Sequence, residues 1–255
     1  MSSAPVDDRA RRPVSRLRSV KRSEVLAREI VEEIVAGGLT PGDVLPAENV
    51  MLEHYAVGRA SLREALRLLE SQGLVTLKSG PGGGPVVGEV DAANLGRTAT
   101  LYFRLAGATC GVLAEAMLVL DPWLAELAAE RADPKAAAES LGACVAEGDR
   151  ALGNNGKVWL TAPEFHDAVY RLSGNGVLET VACAIGAIFR SQVLSQIELT
   201  DLQPAFQADH HRLAEAISAG EPALARQLAH EHMESIIKTV SDRAPWLLDR
   251  VIEWR

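Results

Sequence analysis

The chain of 255 residues is too long for one small module and suits two domains of ordinary size. Hydrophobic residues make up 47% and aromatic residues only 4%, with Ala and Leu abundant, so a mainly helical protein with an aliphatic core is expected. The net charge of −8 is uneven: residues 1–88 carry 12 Lys and Arg against 11 Asp and Glu (net +1), and the remainder carries 14 against 23 (net −9). A distant acidic region acts only through a screened field, so the overall acidity does not exclude a polyanionic partner for the first part. Cys110, Cys144 and Cys183 lie far apart without a Cys-x-x-Cys pair, which argues against a zinc knuckle or a disulfide framework. The N-terminus lacks the apolar core of a signal peptide, and the apolar run Val181 to Phe189 is too short to span a bilayer. A soluble cytoplasmic protein without membrane association is expected.

Residues 1–22 are rich in Arg, Ser, Pro and Asp without apolar periodicity and read as a disordered basic arm. From Ser23, a plausible N-cap, Val25, Leu26, Ile30, Ile34 and Val35 define a helix that ends at Gly37 and Gly38. A Pro41-Gly42 turn precedes a second helix opening near Ala47 and Glu48. Gly58 is expected to permit a tight turn into a third helix, Arg59 to Ser71, with Leu62, Ala65, Leu66 and Leu69 inward. Arg59, Ser61 and Arg63 are left outward near its start. Strands at Leu74 to Leu77 and Pro85 to Gly88, joined by the glycine-rich loop Ser79 to Gly84, make a wing. That loop lacks a following Gly-Lys-Ser or Gly-Lys-Thr, which argues against a nucleotide cradle.

A polar linker, 89–96, leads into an all-helical region, 97–242, and a C-terminal extension, 243–255, in which one amphipathic turn or two is expected. Helices are placed at Leu95 to Ala106, Val112 to Arg131, Pro134 to Leu152, Val158 to Leu172, Gly176 to Leu199, Pro204 to Ser218 and Pro222 to Asp242, with Pro122 expected to kink the second.

Helix, turn, helix and glycine-rich hairpin together resemble the GntR superfamily of bacterial transcription regulators, in the FadR-like subfamily with an all-helical FCD effector domain. The resemblance rests on Pro41, Gly42, Asp43, Leu45, Pro46 and Glu48, on the Val57-Gly58-Arg59 turn, on Leu62 to Leu66 and on the Gly80 to Gly84 loop. It implies a winged helix-turn-helix over 23–88 that reads double-stranded operator DNA as a homodimer on an inverted repeat, usually as a repressor, under control of a small-molecule effector. The chemistry agrees: Arg59 and Arg63, one turn apart, suit bidentate contact with guanine, and Ser61 and Gly58 at the helix start suit phosphates. Lys78, Gly82 and Gly83 suit close approach to the DNA backbone or the minor groove. Asn49 stands where an Arg is frequent, so a shallower salt dependence or altered base preference is expected.

In the helical part the resemblance implies a metal held by His166, His211 and His232, with His210 and His230 pointing elsewhere. The expected carboxylate, one turn before His166, falls on Ala162, so three imidazoles are left to hold Zn²⁺ or Ni²⁺ with reduced charge compensation. Met117 stands where an Arg is frequent, which favours a hydrophobic or acyl effector over a small acid, with Asn175 and Arg190 as polar contacts. Two alternatives stay open: a metal-free regulator responding to an acyl or acyl-CoA ligand, and a zinc-dependent hydrolase with an appended winged domain. The latter lacks a Glu general base at His-Glu-x-x-His spacing.

Overall fold

The computed structural model describes residues 14–78, 80, 83–89, 92–153 and 162–254. They form two compact units, with the boundary between Asp91 and Ala92.

In the first unit, α1 (Val14–Ala36), α2 (Glu48–His54) and α3 (Arg59–Ser71) precede a hairpin of β1 (Val75–Lys78) and β2 (Gly84–Val87). Leu26 and Ile30 of α1, Met51 of α2 and Leu62, Ala65, Leu66 and Leu69 of α3 close one core with Val75 and Val87 of the hairpin. The 3.6-residue spacing of the α3 leucines and Ala65 places them on one stripe, leaving the arginines on the other. The strands pair antiparallel with Val75 opposite Val87 and Lys78 opposite Gly84. Residues 42–45 lie along the free side of β2: Val44 bridges Val86, and the Leu45 N–H donates to the Pro85 carbonyl at 2.9 Å.

Three local expectations change. Helix α1 begins at Val14, so residues 14–22 are helical rather than part of an arm, and Ser23 is buried inside the helix instead of capping it. Extending an existing packed helix through Arg, Leu, Val and Lys needs no new nucleus. Residues 1–13 lie outside the described residues. The left-handed position of the helix-turn-helix is Ala56 (φ 49°), whereas Gly58 is an extended N-cap residue (φ −80°). The expected linker is shorter, because Ala92 already opens α4 (Ala92–Leu105).

The second unit continues with α5 (Cys110–Arg131), α6 (Pro134–Gly153), α7 (Ala162–Leu172), α8 (Gly176–Gln192), α9 (Gln203–Ser218), α10 (Pro222–Arg243) and the short α11 (Trp246–Asp249). Helix α5 runs through Pro122, whose missing N–H leaves the Leu118 carbonyl without its intrahelical donor. It packs against α7, α8, α9 and α10, and α4 lies along α8. One apolar cluster gathers Leu124, Ala128, Leu141, Phe165, Tyr170 and Ile217; a second, at the other end, gathers Leu113, Met117, Phe189, Met233 and Leu247. The stretch Gly176–Gln196 is long and apolar enough to pass for a membrane span, against the sequence expectation. Its helix α8 packs in the bundle against α4, α5 and α7.

The C-terminal residues form a strap over the second cluster. Val251 bridges Thr109, the Cys110 N–H donates to the Arg250 carbonyl at 2.9 Å, and the Ile252 N–H donates to the Ala108 carbonyl at 3.0 Å. The Gln192 side chain, 1% exposed at the end of α8, donates to the Glu253 carbonyl at 2.8 Å and accepts from its N–H at 3.1 Å.

Candidate functional sites

In the first unit, α3 presents Arg59, Arg63 and Arg67 on its exposed face. Arg63 and Arg67 face Lys78 and Gly83 across a cleft of ≈ 420 Å³ between α3 and the wing. Ser61 is half-buried and its N–H is bonded to the Gly58 carbonyl at 3.0 Å, so the N–H groups the helix itself does not use are those of Arg59 and Ala60. Gly83 holds the tight return of the wing: its N–H donates to the Gly80 carbonyl at 2.9 Å, and a Cβ there would meet the Lys78 carbonyl oxygen at 2.3 Å. Gly82 lies outside the described residues. Asn49 is exposed beside Glu48 at the start of α2. Sequence reasoning missed Arg67 and Glu48. Arg67 stands one turn beyond Arg63 and was legible from spacing, whereas Glu48 meets α3 only through the fold.

In the second unit three imidazoles converge, and they belong to His166 of α7, His210 of α9 and His232 of α10. One donor atom from each lies within 4.8 Å of the other two. The expected His211 is therefore not in the converging set, and His210 takes its place. Consecutive helical residues are separated by about 100° around the axis, so only one of the adjacent pair can face the bundle. His210 does, 3% exposed and stacked on Phe165 at 4.3 Å between ring centroids. His211 points outward, where its Nε2 meets the Asp149 carboxylate at 3.0 Å.

The missing carboxylate is also present, from another helix. Asp121 of α5 is 4% exposed, and its Oδ2 lies 3.5 Å from His166 Nδ1. Among the described residues, that Oδ2 and His210 Nε2 have no hydrogen-bond partner, an unusual condition for buried polar atoms. Two ligands on one tetrahedral zinc stand roughly 3.3 Å apart, given metal–ligand bonds near 2.0–2.1 Å, so the Asp121–His166 spacing fits a shared ion. Tyr170 orients the carboxylate by donating to its Oδ1 at 2.7 Å, and Asp209 faces His232 Nδ1 at 3.2 Å, which leaves Nε2 of that ring for the centre. Asp121, His166, Tyr170 and His232, with four aliphatic neighbours, enclose a cavity of about 10 Å³, the space of one water or ion.

Burial sets the protonation. It pushes the Asp121 carboxyl up to about 6, against the Tyr170 hydrogen bond and the nearby His232 and Arg190 charges, which act to lower it. It depresses His166 and His210 well below the usual imidazole range, with the neighbouring His232 adding to both. Neutral imidazoles beside an ionisable carboxylate are the protonation states that a divalent cation needs.

Of the expected effector contacts, Arg190 and Met117 come together and Asn175 does not join them. The Arg190 guanidinium and the Met117 methyl both lie beside Gly186, 3.1 and 3.9 Å from where a Cβ on it would stand. Arg190 is close enough to act electrostatically on Asp121, His166 and Tyr170. Asn175 caps the opposite end of α8, its Oδ1 accepting from the Leu178 N–H at 3.2 Å. Fifteen residues separate it from Arg190, about 22 Å along a helix.

A winged helix-turn-helix followed by a helical unit with a buried polar centre defines the class: a DNA-binding regulator with its own effector domain. Residues 22–83 match the model of the bacterial regulatory proteins of the gntR family, and residues 112–235 match the FCD domain. The HTH-type transcriptional regulator Mce2R of Mycobacterium tuberculosis is 30% identical over 88% of this chain and 92% of its own. The transcriptional repressor NanR of an Enterobacter species is 25% identical over 90% and 88% respectively. Among solved structures, a Streptococcus agalactiae GntR protein superposes with a TM-score of 0.67, at 24% identity, over 85% of this chain and 99% of its own. The chain belongs to the GntR family of transcription regulators, in the branch that carries an FCD domain.

Proposed function

We propose that this regulator binds an inverted repeat as a homodimer, acts as a repressor in the cytoplasm, and is controlled by a divalent metal and a small acidic effector in its FCD domain. The observation that carries the second half is the convergence of three imidazoles, His166, His210 and His232, beside an Asp121 oxygen that has no hydrogen-bond partner among the described residues, with an ion-sized cavity between Asp121, His166 and His232. Asp121, His166, His210 and His232 would hold Zn²⁺ or Ni²⁺, a donor set of imidazole and carboxylate that suits both. Bound there, the metal would supply a charged anchor for an effector donor atom. Arg190 supports an anionic effector, because it restores from α8 the positive charge that Met117 does not provide from α5. An organic molecule exceeds the space of one ion, so effector binding would favour a bundle state in which α5, α7 and α10 stand further apart. Differential affinity of effector and operator for the two states would give the coupling.

On DNA, Arg59 and Arg63 would read guanines in the major groove, with Ser61, Lys78, Asn49 and the wing on the backbone. Selection from a randomised duplex library tests this. A two-fold symmetric consensus bound at two chains per duplex is expected, with Arg59→Ala losing base preference at one position of each half-site. An asymmetric consensus bound by one chain would overturn the dimeric reading, and unchanged preference would remove Arg59 from the readout.

A further inference from the structure

The cleft between α3 and the wing is lined by three cationic side chains, Arg63, Arg67 and Lys78, and by one acid, Glu48 at the first residue of α2. Its Oε1 accepts from Arg63 Nε at 3.1 Å, across the two helices of the helix-turn-helix. The side chains are 38% and 63% exposed, and so open an ion pair adds little to folding. It also opposes the general attraction of the surface for phosphate, since a carboxylate here reduces the local positive field.

What the contact does control is the direction of Arg63. A guanidinium is a rigid planar fork with five N–H donors, and its long stem otherwise lets it reach a phosphate as readily as a base. With Nε engaged by Glu48, one edge of the plane is held from the α2 side, and the end bearing the two terminal Nη groups is not used by that contact. That is the end able to donate a parallel pair of bonds to guanine O6 and N7.

We infer that Glu48 is a positioning residue for DNA readout: it holds Arg63 on a base edge and away from phosphates, exchanging sequence-independent affinity for discrimination at one base pair of each half-site. The inference rests on Arg63 contacting a base. Asn49 is consistent with this division of labour, because α2 then presents a neutral side chain next to the acid and leaves base reading to the oriented arginine.

The test uses the full-length protein in library selection, followed by binding to the selected duplex and to a random-sequence duplex over a range of salt. Glu48→Ala is expected to bind random duplex more tightly, with a salt slope steeper by about 0.9 per subunit. Discrimination at one position of each half-site should fall about tenfold, within the range of one bidentate contact. Glu48→Gln keeps a neutral acceptor for Nε and holds Arg63 on the base, so it should recover most of that discrimination and return the slope towards the wild-type value. In an Arg63→Ala background, Glu48→Ala should change nothing at that position. A helix-stabilising role alone would not move one base preference, and matched thermal melts exclude misfolding. Undiminished discrimination by Glu48→Ala, or a loss that persists without Arg63, overturns the inference. If Arg63→Ala itself selects the wild-type base with wild-type discrimination, the assignment of Arg63 fails and this inference falls with it.

Discussion

Asp121 shows how a single residue changes the account of the effector unit. It is a carboxylate inside the apolar run Leu118-Val119-Leu120 and Trp123-Leu124, and that isolation among apolar neighbours was its one visible sign in the sequence. Desolvation raises its carboxyl to about 6 in the folded protein, above the unfolded value near 3.9. The folded state then binds more protons between about pH 4 and 6, so the contribution of this group to stability falls as pH rises through that window. The neutral Asp121→Asn variant escapes the penalty and can still accept from Tyr170. In chelator, its melting temperature relative to wild type should therefore climb between pH 4 and 6 and level off above. A constant difference across that range would show that Asp121 is not held in a desolvating site. With Zn²⁺ added the advantage should reverse, because the wild-type carboxylate then has a cation.

At the scale of elements, legibility followed periodicity. The leucine stripe of α3, the glycine at its end and the prolines opening α6 and α10 marked helices that the structure contains with small shifts at the ends. Contacts between elements were less visible. Glu48 meets Arg63, residues 42–45 edge the wing and Asp121 reaches His166 because distant segments pack together, and no local spacing encodes that. The choice of His210 over His211 turned on one helical position: an adjacent pair is ambiguous until the buried face is known to within half a turn. The C-terminal strap was read only as an amphipathic turn or two, since its role depends on Gln192 pairing with the Glu253 backbone. Gln192→Leu would leave that N–H and C=O without their side-chain partner at a cost of about 2 kcal/mol. Melting of the effector unit should fall by about 4–8 °C. An unchanged melt would mean that the strap is held by its contacts with residues 108–110 alone.

Over the whole molecule, charge is segregated as well as the two cores. The DNA-reading unit is close to neutral overall yet carries its arginines on α3, whereas the region after residue 88 has a net charge of −9. Affinity for DNA should therefore depend on the few cations facing it rather than on net charge. Asn49→Arg should steepen the dependence of log affinity on log salt by about 0.9 per subunit. A slope unchanged by that substitution would place α2 away from the phosphates.

The fold was largely visible in the sequence; the histidine cluster of the helical unit was visible in type but not in membership. Calorimetric titration of the purified, chelator-treated protein with Zn²⁺ decides that membership most directly, using wild type, His210→Ala and His211→Ala side by side. The account predicts one ion per chain in wild type and in His211→Ala with similar affinity. Loss of His210, whose imidazole would bind the ion directly, should weaken binding by more than about 100-fold, beyond the cost of disturbing an outer partner. Tight binding that survives His210→Ala, or is abolished by His211→Ala, would contradict the site described.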